Sequence, residues 1–118
     1  MRFPRGRKLK MYFVYIVRCR DGSLYTGTAA DLRRRMHAHT QQTAACARYT
    51  RSHPVAALAA AWRTQTRPEA LRLEALIKRL TREEKLRLIA APETVAAVFG
   101  EKLRCAQYAP LPPEELHL

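Results

Sequence analysis

No apolar run in this chain approaches the ~20 residues that a membrane-spanning helix needs, so no transmembrane anchor is expected. The start is basic, yet Lys10 leads directly into a short strand-like run with no small-residue cleavage site, so no secretory signal is expected either. Cysteine is scarce. Cys19, Cys46 and Cys105 show no C-x-x-C spacing and leave one thiol over from any pairing. Reduced thiols and a cytoplasmic location follow from that pattern more naturally than a disulfide scaffold. Acidic side chains are few as well: 10 Asp and Glu stand against 22 Lys and Arg, a formal net charge of +12. A field of that sign draws polyanions, of which nucleic acid is the commonest. An anionic membrane would call for a sustained basic amphipathic helix, and none is evident.

The generic catalytic signatures are missing too. There is no Walker loop, G-x-G-x-x-G, H-E-x-x-H or G-x-S-x-G. His37 and His39, two apart on a helix, would point their rings about 200° apart, so zinc is not expected.

What is present suits one domain. At 118 residues the chain can bury a core of its own, and an apolar share of 47% speaks against disorder. Residues 1–10 read as a flexible basic arm and 91–118 as a C-terminal extension ending in a loose Pro-rich tail from Pro110. Met11–Val17 (MYFVYIV) reads as a buried strand. Asp21-Gly22 supplies a turn that accepts positive φ, and Leu24–Thr28 resumes as a second strand, making a hairpin. Asp31–Thr40 reads as a helix seated by Leu32 and Met36, with Arg35 and His39 one above the other beside that stripe. Gln41–His53 reads as a loop. Val55–Trp62 is alanine-rich enough for a helix, but the hairpin needs a third strand, and we read it as one. Thr66-Arg67-Pro68-Glu69 and Thr81-Arg82-Glu83-Glu84 each carry the spacing of a capping box and open two further helices. Thr94–Leu103 offers Val95, Val98, Phe99 and Leu103 at helical spacing, a stripe for its own domain or for a partner.

The ordered set Phe13-Val14-Tyr15, Tyr25-Thr26-Gly27, Asp31-Leu32-Arg33-Arg34-Arg35, Arg35-x-x-x-His39, Tyr49-Thr50-Arg51 and Glu69–Leu80 resembles the GIY-YIG nuclease family. The spacing is most similar to that of its small stand-alone bacterial members and of the N-terminal domains of excision nucleases. It spans roughly Met11 to Ile89. Each short motif alone is weak; their order is what gives the resemblance its specificity.

The resemblance implies an α+β fold over residues 11–90, with a small three-stranded antiparallel sheet flanked by helices in the order β-β-α-β-α-α. It implies hydrolysis of nucleic-acid phosphodiester bonds, DNA in preference to RNA, in a repair or recombination setting; the oligomeric state is left open, with a monomer favoured. One Mg²⁺ or Mn²⁺ ion would be held by Glu74. Arg35 would clamp a nonbridging oxygen, Tyr15 and Tyr25 would position and activate water, and His39 would orient a tyrosine or assist proton transfer. Gly27, Thr28, Arg33, Arg34, Arg48, Tyr49, Arg51 and Lys78 are the positions expected to meet the substrate. Gly27 would do so by letting the backbone approach closely. Thr28 stands where DNA-repair members carry a lysine, which removes one phosphate contact.

Taken singly, these residues have plainer explanations. Tyr15 and Tyr25 could be core aromatics, Glu74 and Lys78 a helix-surface ion pair, and His39 a cap or surface residue. Two other functions use the same surface. One is a nucleic-acid-binding module that cuts weakly or not at all, and the other is an accessory subunit of a repair complex. No element resembles a base reader, so recognition of structure or backbone is expected.

Overall fold

β1 (Tyr12–Cys19) is buried on both faces along Val14–Val17, which is why its sequence is a continuous apolar run and does not alternate. The computed structural model describes residues 11–41, 48–103 and 108–111. β1 turns through Gly22, at φ 86°, into β2 (Leu24–Ala29), so the Asp-Gly turn falls where expected. α1 (Leu32–Gln41) and α2 (Arg48–Ser52) follow, then β3 (Val55–Thr64). α3 (Arg67–Lys78), α4 (Arg82–Ala90) and α5 (Val95–Phe99) come next, with short 3₁₀ turns either side of α5, and then β4 (Ala109–Pro110).

The fold is α+β, an antiparallel sheet flanked by helices. The sheet has order β2-β1-β3-β4, so the expected three strands are joined by a fourth of two residues. That strand corrects the reading of a loose tail from Pro110. Pro110 pairs with Trp62, and the buried Leu111 donates its N–H to the Ala61 carbonyl at 2.9 Å. The expected loop 41–53 likewise contains α2. The proposed basic arm, the rest of the tail, Cys46 and Cys105 lie outside the described residues.

Strand alternation splits the core in two. Val14, Ile16, Ala60 and Trp62 face α3, α4 and α5, where Leu73, Ile77, Leu88, Val95, Phe99 and Leu103 close over them. The C-terminal stripe thus packs on its own domain, leaving Val98 exposed. The Trp62 indole N–H is satisfied by the Pro92 carbonyl at 2.9 Å. Tyr15, Val17, Cys19, Leu58 and Ala61 face the other way, against Leu32 and Met36 of α1.

Local chemistry sets the helix starts. Thr81 and Glu84 exchange both hydrogen bonds of a capping box, while Thr66 accepts from the Glu69 N–H. Among the described residues no helix is long and apolar enough to cross a membrane.

Candidate active site

Register places the site. On the α1 face of the sheet, Tyr15 lies opposite Gly27, and Tyr25 lies opposite Val17 on the neighbouring strand. Asp31 starts α1 by accepting the Arg34 N–H at 3.1 Å, and the buried Leu32 and Met36 seat the helix. Arg35 and His39, four residues apart, are thereby aimed at the hydroxyl of Tyr15.

Two polar side chains meet at that hydroxyl. His39 Nε2 is 2.7 Å from it, and the Arg35 Nε–H donates to it across a longer 3.4 Å. The far nitrogen of the imidazole, Nδ1, lies 2.8 Å from Oγ1 of Thr50 on α2. Tyr15, His39 and Thr50 are fully buried and Arg35 is half-buried. The rings of Tyr15 and Tyr25 each meet His39 edge to face, with centroids 5.6 and 5.9 Å away, and are tilted against each other at 6.3 Å. From Tyr25 a column of parallel rings runs outward. Tyr49 stacks on it at 5.7 Å, and His53 stacks on Tyr49 at 4.1 Å. His53 is anchored in turn to Asp21 in the hairpin turn, Nδ1 to Oδ2, at 2.6 Å.

Burial sets the protonation of this cluster. It pushes the Tyr15 phenol up to about 12, against the opposing hydrogen bond from Arg35. It also pulls His39 down to about 4, helped by the positive charge of Arg35. Both groups are therefore neutral at pH 7, and the Arg35 guanidinium is the fixed charge between them.

Of the residues expected from the sequence, Tyr15, Tyr25, Arg35 and His39 are brought into one contact network. Glu74 approaches from α3, and its charge is one of the influences that raise Tyr15. Its carboxylate is 19% exposed and ion-paired with Lys78 at 3.5 Å, the helix-surface geometry that its spacing allowed. Arg33, Arg34 and Arg51 are exposed and Thr28 is half-buried. A groove of about 570 Å³ runs past Thr28, Asp31, Arg34, Arg35 and His37, and it meets the Tyr15 network at Arg35. The side chain of Arg48 lies outside the described residues.

Gly27 has a nearer reason than substrate approach. A Cβ there would lie 2.6 Å from the Tyr15 hydroxyl oxygen and 2.8 Å from its ring carbon Cζ. Tyr49, expected to meet substrate, is stacked on Tyr25 and His53. Sequence reasoning missed Thr50 as a site residue. Its only signal was membership of the Tyr49-Thr50-Arg51 stretch, because a five-residue helix shows no periodicity.

A family profile described as the GIY-YIG catalytic domain matches residues 11–87. Over 88 residues the chain is 43% identical to a UPF0213 protein of Xanthomonas axonopodis pv. citri (strain 306), covering 74% of this chain and 84% of that one. A UPF0213 protein of Staphylococcus aureus (strain Mu3) is 45% identical over 78 residues, 66% of this chain and 93% of its own. The solution NMR structure of a UPF0213 protein from Bacillus halodurans is 34% identical and gives a TM-score of 0.45 over 76% of this chain and 97% of that one.

Proposed function

The chain belongs to the GIY-YIG catalytic-domain family, and from that membership we propose that it is a metal-dependent endonuclease acting on DNA in preference to RNA. The observation that carries this reading is the convergence of Arg35 and His39 on the Tyr15 hydroxyl, with Arg35 also lining an open groove beside Arg34.

Glu74 fits the metal site that the family implies. Among the described residues no three His, Cys, Asp or Glu side chains gather as a closed ligand cage. A lone, partly exposed carboxylate suits a hard ion such as Mg²⁺ or Mn²⁺, which keeps its waters and takes the remaining ligands from substrate phosphate. Bound there, the ion would neutralise charge developing on the phosphate and the leaving oxygen.

The chain's own groups supply the rest. Arg35, always protonated and half-buried, clamps a nonbridging oxygen as its charge builds. Tyr15 is a phenol at neutral pH and His39 an uncharged imidazole, so the pair can move a proton without either beginning as an ion. Water held against the Tyr15 oxygen passes its proton there as Tyr15 gives its own to His39 Nε2. The water oxygen bonds to phosphorus, and the ester bond breaks with its electron pair on the leaving oxygen. That oxygen takes a proton from solvent while His39 returns the one it gained. Tyr25 walls the other side of the water. Arg33, Arg34 and Arg51 meet backbone phosphates, which favours recognition of nucleic-acid structure over sequence.

The test is cleavage of labelled single-stranded, duplex and branched DNA, and of RNA, by wild type and Glu74→Ala, with Mg²⁺, Mn²⁺ or a chelator. Wild type is expected to cut only with metal, and Glu74→Ala to bind without cutting. If wild type cuts nothing while both proteins bind equally, the hydrolytic reading gives way to a binding module.

A further inference from the structure

The contacts around the buried Tyr15–His39 pair favour one placement of its hydrogens over the other. Arg35 Nε can only donate, so the Tyr15 oxygen accepts from it. The phenolic proton, buried away from water, keeps a hydrogen bond by pointing at His39 Nε2, 2.7 Å away, and that arrangement needs Nε2 bare. A neutral imidazole with a bare Nε2 carries its proton on Nδ1, and the atom facing Nδ1 is Thr50 Oγ1 at 2.8 Å.

We propose that Thr50 is a positioning residue that holds the His39 proton on Nδ1, keeping Nε2 open as the acceptor for Tyr15. The role rests on the hydrolytic reading above, but the tautomer itself can be observed without any cleavage. Were the hydroxyl missing, the proton could move to Nε2. It would then point at Tyr15, turn the phenol from donor to acceptor and block the transfer.

Thr50 is well placed for this work. It is fully buried, with no bulk water to compete for Nδ1. The helix that carries it is short, yet it is secured at its end by the contact of His53 with Asp21. Asp21 is itself steadied by the Ser23 N–H and hydroxyl. On the neighbouring position Tyr49 braces Tyr25 by stacking. One five-residue helix thus bears on both tyrosines, one through a hydrogen bond to His39 and the other through ring contact.

Side-chain ¹⁵N–¹H NMR of the full chain at neutral pH reads the tautomer directly, with the His39 signals assigned by their loss in His39→Gln. Wild type and Thr50→Ser are expected to show the proton on Nδ1, and Thr50→Val to show it on Nε2. In cleavage assays Thr50→Val should cut about 10- to 100-fold more slowly, by analogy with the loss of the partner that orients a metal-bound histidine. Its nucleic-acid Kd should be unchanged, and Thr50→Ser should recover most of the rate. A wild-type proton on Nε2 overturns the proposal, and this holds even if Thr50→Val fails to fold. So does a Thr50→Val protein with wild-type tautomer and rate. A wild type that shows the Nδ1 proton yet cuts no substrate upholds the positioning role and removes the hydrolytic reading alone.

Discussion

Gly27 and Tyr15 face each other across β1 and β2, and the phenol lies where a side chain at 27 would begin. Retreat is closed to Tyr15, which is fully buried and held by both His39 and Arg35. Gly27→Ala must therefore displace the ring and pull its hydroxyl from His39. Overpacking of this kind costs about 1–3 kcal/mol, readable as a lower urea midpoint, together with loss of cutting at unchanged nucleic-acid affinity. A midpoint equal to wild type would remove the steric account of this glycine. His39 makes a second statement at the same scale. Its folded value of about 4 lies below the ordinary 6.5, so on acidification the unfolded chain takes up a proton before the native one does. Stability is accordingly full above pH 6.5, falls as the pH drops toward 4 and levels off below. The gap corresponds to ~3 kcal/mol. Urea unfolding between pH 7 and 4.5 should show a steep loss in wild type and a flatter one in His39→Gln. Parallel slopes would mean that burial does not hold the imidazole neutral.

Elements differ in how openly the sequence declares them, and the difference is physical. The hairpin is legible because Asp21-Gly22 supplies a backbone conformation that few other pairs accept, and Gly22 adopts it. α3 and α4 are legible from Thr66 and Thr81, whose hydroxyls satisfy helix N–H groups within three residues of themselves. β3 is harder, since its alanines favour a helix. They serve as strand because the sheet is covered on both sides, with Ala60 buried in one core and Ala61 in the other. β4 and α2 leave no local trace at all. β4 is two residues paired to Trp62 and Arg63 from far along the chain. α2 is held by Thr50 beneath His39 and by His53 against Asp21, contacts 11 and 32 residues apart in sequence. The site divides the same way. Tyr15, Tyr25, Arg35 and His39 could be picked out from motif order and helix spacing. Thr50, and the steric reason for Gly27, require the register and the packing to be known.

At the scale of the whole molecule the excess of positive charge governs how a substrate arrives. A net charge of +12 on so small a chain favours association with any polyanion. Exposed Arg33, Arg34 and Arg51 place part of that charge on the elements that build the site. Glu74 works against it, since a carboxylate repels phosphate unless an ion stands between them, so binding and cutting draw on opposite charges. Neutralising about four duplex phosphates releases counterions with a slope near −3.6 in log K against log salt, roughly a hundredfold loss of affinity between about 50 and 200 mM. Fluorescence anisotropy with duplex DNA and the Glu74→Ala variant in chelator measures that slope with no cutting to confuse it. Removing Arg33 and Arg34 together should make it shallower by about two phosphates' worth while changing affinity alike for unrelated sequences. A slope flatter than about −1, or a marked preference for one base sequence, would mean that contacts other than backbone charge hold the nucleic acid. The groove lined by Thr28, three alanines, Asp31, Arg34, Arg35 and His37 would then be the place where bases are read.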